Sequence, residues 1–135
     1  MRALISYITL GVNDLPRSVA FYRDVFGWYT EGIVGSEFSY GAVAFFKQEN
    51  GQTLALWERA SIAADAGLVC NASDPCGIML AHNVESMQQV DVLMTQFKAA
   101  GVVIVKPPRT LFWGGYGGLI ADPDGHLWEI VYNPK

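Results

Sequence analysis

The sequence holds few side chains of the types that usually carry catalysis or metal binding. Its two cysteines, Cys70 and Cys76, lie in one polar stretch, and their spacing fits neither a disulfide framework nor a zinc site with clustered histidines. We interpret them as free thiols in a reducing cytoplasm. The histidines, His82 and His126, are far apart in the chain, so we interpret them as a strand-end residue and a turn residue.

A glycine-rich segment, WGGYGG at residues 113–118, could suggest a phosphate-binding loop. It lacks the spacing of such loops, and no helix follows whose N-terminus would bind the anion. We predict instead that these glycines allow a strand edge to bend. A catalytic triad cannot be recognised from spacing either, because its members meet only in the folded chain.

Composition limits the class of protein. The chain has 135 residues, of which 51% are hydrophobic and 16% charged, so a single folded domain is expected and a disordered chain is excluded. Nine basic and thirteen acidic residues give a net charge of −4, which argues against nucleic acid and anionic membranes as partners. No apolar run is long enough to span a bilayer, and no signal peptide is recognisable. We therefore expect a cytoplasmic protein.

The first half of the sequence predicts a strand, a helix and three short strands. Hydrophobic alternation over residues 5–12 predicts a strand, and Asp14 with Pro16 predicts a helix start. Turn signals, including Asn50-Gly51, then separate short strands up to residue 59. The apolar stripe of the helix consists of Leu15, Val19, Tyr22 and Phe26.

The same order of elements recurs in the second half. A strand is predicted at residues 77–81, and Ser86 with Gln89 predicts a capping box at the start of a helix. Three strands follow, at residues 102–105, 116–121 and 127–132, with a tight turn at 122–125 between the last two. The stripe of this helix consists of Met87, Val90, Met94 and Phe97.

The recurrence predicts an α+β fold of two βαβββ modules, at about residues 4–59 and 77–133, joined by a linker at 60–76. Each module has one helix, which covers only one face of its sheet. We predict that the two sheets form one curved mixed sheet, a cup or half-barrel, with the helices on its outer face and a cavity inside.

This pattern resembles the vicinal oxygen chelate superfamily, which includes glyoxalase I, extradiol dioxygenases, fosfomycin-resistance enzymes and bleomycin-binding proteins. The matching stretches are LGVNDLPRSVAFY at residues 10–22 and GGLIADPDGHLWEIV at residues 117–131. The resemblance implies paired βαβββ modules, a homodimer and a small-molecule site in the cup. It does not fix the activity, since one fold hosts many chemistries.

The resemblance also implies where a metal would be held, namely by His, Glu or Gln on the first and last strands of each module. Strand alternation assigns four inward positions to this pattern, of which only Glu129 is an ordinary ligand, whereas zinc or iron(II) needs about three. We therefore expect no bound metal; the alternative is a divalent ion, if a register slip or a bulge turns His82 or Asn83 inward. The four positions are Tyr7, Ala55, Met79 and Glu129.

Glu129 is the candidate catalytic residue. An ionised carboxylate in an apolar cavity needs a partner, which the Tyr7 hydroxyl could supply. Alternatively, Glu129 anchors a cationic or hydroxylated ligand or acts as a general base.

The predicted function is binding of a small aromatic or amphipathic molecule in the cup, without a cofactor. The alternatives are a metal-dependent or Glu129-based lyase, isomerase or dioxygenase, and a structural dimer module whose cup is filled by its own side chains. The aromatic residues Trp113 and Tyr116, with Phe112, are expected at the mouth of the cup. The predicted ligand-binding residues are Tyr7, Ala55, Trp57, Met79, Trp113, Tyr116 and Glu129.

Overall fold

The computed structural model describes residues 1–71 and 74–134. The chain divides into two compact units, residues 1–72 and 73–135. The first contains β1 (Tyr7–Val12), α1 (Leu15–Ala20), β2 (Ile33–Val34), β3 (Val43–Lys47), β4 (Thr53–Glu58) and α2 (Arg59–Ala66). The second contains β5 (Met79–Val84), α3 (Met87–Ala99), β6 (Val103–Thr110), β7 (Tyr116–Ala121) and β8 (Leu127–Tyr132). The predicted α+β class and the repeated βαβββ order are confirmed.

The first unit is a four-stranded mixed sheet in the order β1-β4-β3-β2, in which only β1 and β4 are parallel. Helix α1 begins where predicted, since the Asp14 carboxylate accepts a hydrogen bond from the Arg17 N–H at 3.1 Å. The helix continues into a π-helical turn, Phe21–Val25. Its apolar stripe packs on one face of the sheet, where the rings of Tyr22 and Phe46 lie 5.9 Å apart.

The second unit has the same arrangement, with strand order β5-β8-β7-β6 and only β5 and β8 parallel. Ser86 caps α3 by accepting a hydrogen bond from the Gln89 N–H at 3.1 Å, as predicted. The Gln89 side chain, however, accepts from the Glu85 N–H, one residue before the predicted Ser86. The stripe residues Val90, Met94 and Phe97 are buried, whereas Met87 is exposed.

Helix α2 differs from the prediction, which treated residues 60–76 as a linker. Four alanines and no glycine or proline before Gly67 favour a helix here, and Gly67 ends it in the left-handed conformation. None of its residues is buried, so it lacks the apolar stripe by which α1 and α3 were recognised. Its Arg59 and Ile62 side chains lie against Gly11, where a Cβ atom would meet them.

Strand β6 is also longer than predicted. It runs to Thr110 instead of ending at Val105, and its register with β7 shifts on both sides of Lys106. The bulges accommodate Pro107 and Pro108, which cannot donate to the ladder.

Within the described ranges no helix combines the length and the apolar character that a bilayer crossing requires.

Candidate functional site

The face of each sheet opposite α1 or α3, here called the far face, carries the candidate site residues. In the first unit the register pairs Tyr7 with Thr53 and Thr9 with Ala55, while Leu10 and Leu56 are buried on the face towards α1. Paired residues point to the same side of a sheet. Tyr7, Ala55 and Trp57 therefore share the far face, in agreement with the strand alternation.

The far face of the first unit contains a cleft of about 360 Å³ at the end where β1 begins. Exposed aromatic rings form much of its surface: Tyr7 and Tyr29 are 60% and 79% exposed, and the Tyr7 and Phe45 rings meet edge to face with centroids 6.2 Å apart. This volume lies at the lower end of the range for small-molecule pockets. The cleft is lined by Tyr7, Tyr29, Thr30, Glu31, Gly32, Val34, Phe45, Lys47 and Thr53.

Ala55 and Trp57 lie deeper along the same face and are less accessible. Ala55 is only 2% exposed, and the Trp57 indole N–H donates a hydrogen bond of 2.6 Å to the Tyr40 carbonyl. This bond fixes the Trp57 ring against the loop that precedes β3. At this end of the far face, Gly11 is covered by α2, so the chain itself occupies the space.

In the second unit, Met79 and Glu129 share the far face, because the buried Trp128 and Ile130 point towards α3. Glu129 is half-buried and has Ala81 on one neighbouring strand and Leu119 on the other. Among the described residues of the second unit, its carboxylate has no hydrogen-bond or ion-pair partner. A carboxylate between two apolar neighbours is thus available to a ligand.

The register of β5 is regular, which decides the positions of its two polar residues. His82 pairs with the buried Ile130 and therefore lies on the face towards α3. Asn83 pairs with Val131 and shares the far face with Glu129 without any bulge. The regular register between β5 and β8 shows no slip or bulge that would turn His82 to the far face.

Trp113 and Tyr116 lie on either side of Gly115, in the β6–β7 turn and at the start of β7. The Trp113 ring lies over Gly115 within the β6–β7 turn. Tyr116 lies on the face towards α3, because it is an even number of residues from the buried Ile120. Its hydroxyl donates a hydrogen bond of 2.6 Å to Asp91 of α3, and this bond raises the pKa of Tyr116 above its usual value.

In this chain, the positions at which the vicinal oxygen chelate superfamily holds its metal do not carry enough metal-binding side chains. In the first unit they are the phenol of Tyr7 and the methyl group of Ala55; in the second they are the thioether of Met79 and the carboxylate of Glu129. Asn83 adds one amide oxygen on the second far face. Zinc or iron(II) sites use about three imidazole, thiolate or carboxylate ligands, so these residues do not fit such an ion.

A cluster of Asp122, Asp124 and His126 lies in the β7–β8 turn, with its ligand-type atoms within 4.8 Å of one another. Asp122 is 3% exposed, and its carboxylate accepts hydrogen bonds from the backbone N–H groups of both other residues. His126 Nδ1 lies 2.7 Å from the second oxygen of Asp122. These bonds, together with Gly125 at φ +86, are those of a tight Asx-type turn, so the cluster is explained by the turn itself.

Comparison with known proteins agrees with this architecture. A family model described as the Glyoxalase/Bleomycin resistance protein/Dioxygenase superfamily matches residues 4–130. A glyoxalase-related enzyme from Fulvimarina pelagi is similar to this chain, with 36% identity and a TM-score of 0.80 over 98% of this chain and 90% of that one. No curated protein sequence matches this chain.

Two further solved structures are similar to this chain. Lactoylglutathione lyase from Agrobacterium tumefaciens is 26% identical, with a TM-score of 0.71 over 98% of this chain and 96% of that one. The genomically encoded fosfomycin resistance protein FosX from Listeria monocytogenes is 25% identical, with a TM-score of 0.72 over 98% of this chain and 95% of that one. The chain belongs to the glyoxalase/bleomycin resistance protein/dioxygenase superfamily. This conclusion rests on the family match, on the relative from Fulvimarina pelagi and on the repeated βαβββ units.

Proposed function

We propose that the protein binds a small aromatic or amphipathic molecule on its far face and does so without a resident metal ion. The observation that carries the proposal is the cleft beside Tyr7, in which exposed aromatic rings meet hydroxyl groups and one lysine. Exposed aromatic surface that lines a concavity is typical of a ligand site. The ligand-type side chains needed for a divalent ion are missing from the corresponding positions.

The ring of Tyr7 contributes most directly in this proposal. The ring is exposed and lies edge to face with Phe45. Of the four positions at which the superfamily holds its metal, Tyr7 is the one that lines the cleft of the first unit. A ligand ring placed there gains aromatic contact with both side chains. Such contacts contribute about 0.5–1.5 kcal/mol each.

Tyr7→Ala is therefore expected to weaken binding of a small neutral aromatic probe, 2-phenylethanol, by about three- to tenfold. Chemical-shift changes in a titration followed by NMR measure this dissociation constant. Phe112→Ala is the matched control, because Phe112 is fully exposed and lies outside the cleft. Equal binding by the Tyr7 variant and the control would place the ligand elsewhere.

A second candidate function is metal-free catalysis with Glu129 as a general base. The observation that favours it is a far-face carboxylate that has no partner among the described residues of its own unit and that lies between Ala81 and Leu119. One of the similar structures is a lyase. Turnover that disappears in Glu129→Gln, while the variant stays folded, would favour this candidate over binding alone.

The proposal also includes a homodimer and a cytoplasmic location. The dimer comes from the superfamily resemblance, and light scattering of the purified protein measures it. The two exposed cysteines, neither of them in a disulfide, are consistent with a reducing compartment.

A further inference from the structure

The cleft of the first unit carries two side chains of opposite charge, Lys47 and Glu31. Lys47 is the last residue of β3, and Glu31 lies in the loop before β2. Within residues 1–71 and 74–134 neither side chain makes a hydrogen bond or an ion pair, with the other or with any further group. Both charges are therefore available to a ligand.

Lys47 ends a row of hydrogen-bond donors across three strands. The register places Lys47 beside Thr53, and Thr53 beside Tyr7, all on the far face. The Thr53 side chain lines the cleft and has no hydrogen bond within the described chain. An ammonium group, an aliphatic hydroxyl and a phenol in one row suit a carboxylate, whose two oxygens accept several hydrogen bonds.

Glu31 supplies the opposite charge at the rim of the same cleft. Its loop is held by a local turn, in which the Thr30 hydroxyl accepts a hydrogen bond from the Gly32 N–H at 3.1 Å, and Gly32 adopts a positive φ of +90. The turn fixes the backbone on both sides of Glu31. A carboxylate at this position suits a ligand ammonium group.

We propose that the ligand of this cleft is zwitterionic: a small aromatic molecule whose carboxylate binds beside Lys47 and whose ammonium group binds beside Glu31. This inference rests on the proposed function, because it names the chemical class of the molecule that the cleft binds. The volume of about 360 Å³ suits a molecule with one ring system. A ligand with only one charge would leave the other side chain without a partner.

Four probes that share a phenylethyl group test the proposal: phenylalanine, 3-phenylpropionate, 2-phenylethylamine and 2-phenylethanol. Phenylalanine carries both charges, 3-phenylpropionate carries only the negative charge, 2-phenylethylamine carries only the positive charge, and 2-phenylethanol carries no charge. The dissociation constants are measured by NMR titration at low salt. Each partly exposed ion pair is expected to strengthen binding about two- to fivefold, so phenylalanine binds most tightly. Added salt should reduce this preference and leave 2-phenylethanol binding unchanged.

Two charge-removing variants assign the preference to its residues. Lys47→Met should remove the advantage of the carboxylate, and Glu31→Gln should remove that of the ammonium group. Each advantage is measured relative to 2-phenylethanol binding by the same variant. Lys98→Met and Glu37→Gln are matched controls, because both side chains lie outside the cleft and neither should change the order.

The outcomes separate this inference from the proposed function. If 2-phenylethanol binds and Tyr7→Ala weakens it, but all four probes bind equally, the cleft binds aromatic molecules and the zwitterion proposal is overturned. A preference for one singly charged probe over phenylalanine overturns it as well. If no probe binds, the proposed function fails, and the inference fails with it.

Discussion

Replacing Tyr22 by alanine is expected to lower the free energy of unfolding of the first unit by about 3–5 kcal/mol. Tyr22 is fully buried at 0% exposure. Its ring packs against those of Phe26, Trp28 and Phe46, at centroid distances of 5.2, 5.9 and 5.9 Å. Alanine would leave a cavity between α1 and the sheet, and the cost of such a cavity adds to the lost burial.

Urea unfolding followed by circular dichroism measures the Tyr22 effect. Tyr29→Ala is the matched control, because Tyr29 is an exposed tyrosine of the same unit; its stability effect should stay within about 0.5 kcal/mol. A Tyr22 variant as stable as the Tyr29 variant would show that the aromatic cluster under α1 does not hold the first sheet in place.

Replacing Asp122 by alanine is expected to destabilise the second unit by about 3 kcal/mol. The carboxylate is fully enclosed in the β7–β8 turn and accepts from the Asp124 and His126 N–H groups. Its loss removes the acceptor of these two backbone hydrogen bonds and the contact between Asp122 and the His126 ring. Since β8 carries Glu129, we expect the far face of the second unit to be disturbed as well.

A double-mutant cycle separates the ring contact from the backbone contacts. The free energies of unfolding of Asp122→Ala, His126→Ala and the double variant are compared with that of the parent protein. A coupling energy of about 0.5–3 kcal/mol is expected for residues in one hydrogen-bonded network. Additive effects would show that the His126 ring contributes nothing through Asp122.

The elements that local sequence signals specify are the ones that could be predicted. Asp14 and Ser86 mark helix starts because their side chains bond the first backbone N–H groups. The turn that ends at Gly125 requires a positive φ, which glycine adopts readily.

Helix α2 was missed because helix recognition relied on an apolar stripe, and α2 buries none of its residues. The extension of β6 past Val105 was missed because Pro107 and Pro108 argue against a regular strand.

The candidate site could be predicted only as far as strand alternation reaches. Alternation assigned Tyr7 and Glu129 to the far faces, since every second residue of a strand points to the same side. Phe45 and Thr53 follow from the same rule once the register with β4 is known. Glu31 could not be found this way, because a loop brings it to the cleft and loops have no period. Counting outward from the buried Ile120 would have placed Tyr116 on the face towards α3.

Whether the predicted cup forms between the two units, with a hydrogen bond from Tyr7 to Glu129, stays a prediction. The side chains on each far face limit the kinds of contact that are available to a ligand. With one phenol and one carboxylate among the four superfamily positions, we expect the proposed ligand to be recognised through rings, hydroxyls and charged side chains of the protein.

Metal content tests this account most directly. Untagged protein, purified without a chelator and dialysed, is analysed by inductively coupled plasma mass spectrometry. We expect every divalent transition metal to be present far below one equivalent per chain, and EDTA to leave 2-phenylethanol binding unchanged. A full equivalent of zinc, iron, manganese or nickel that survives dialysis, and whose removal abolishes binding, would contradict the account.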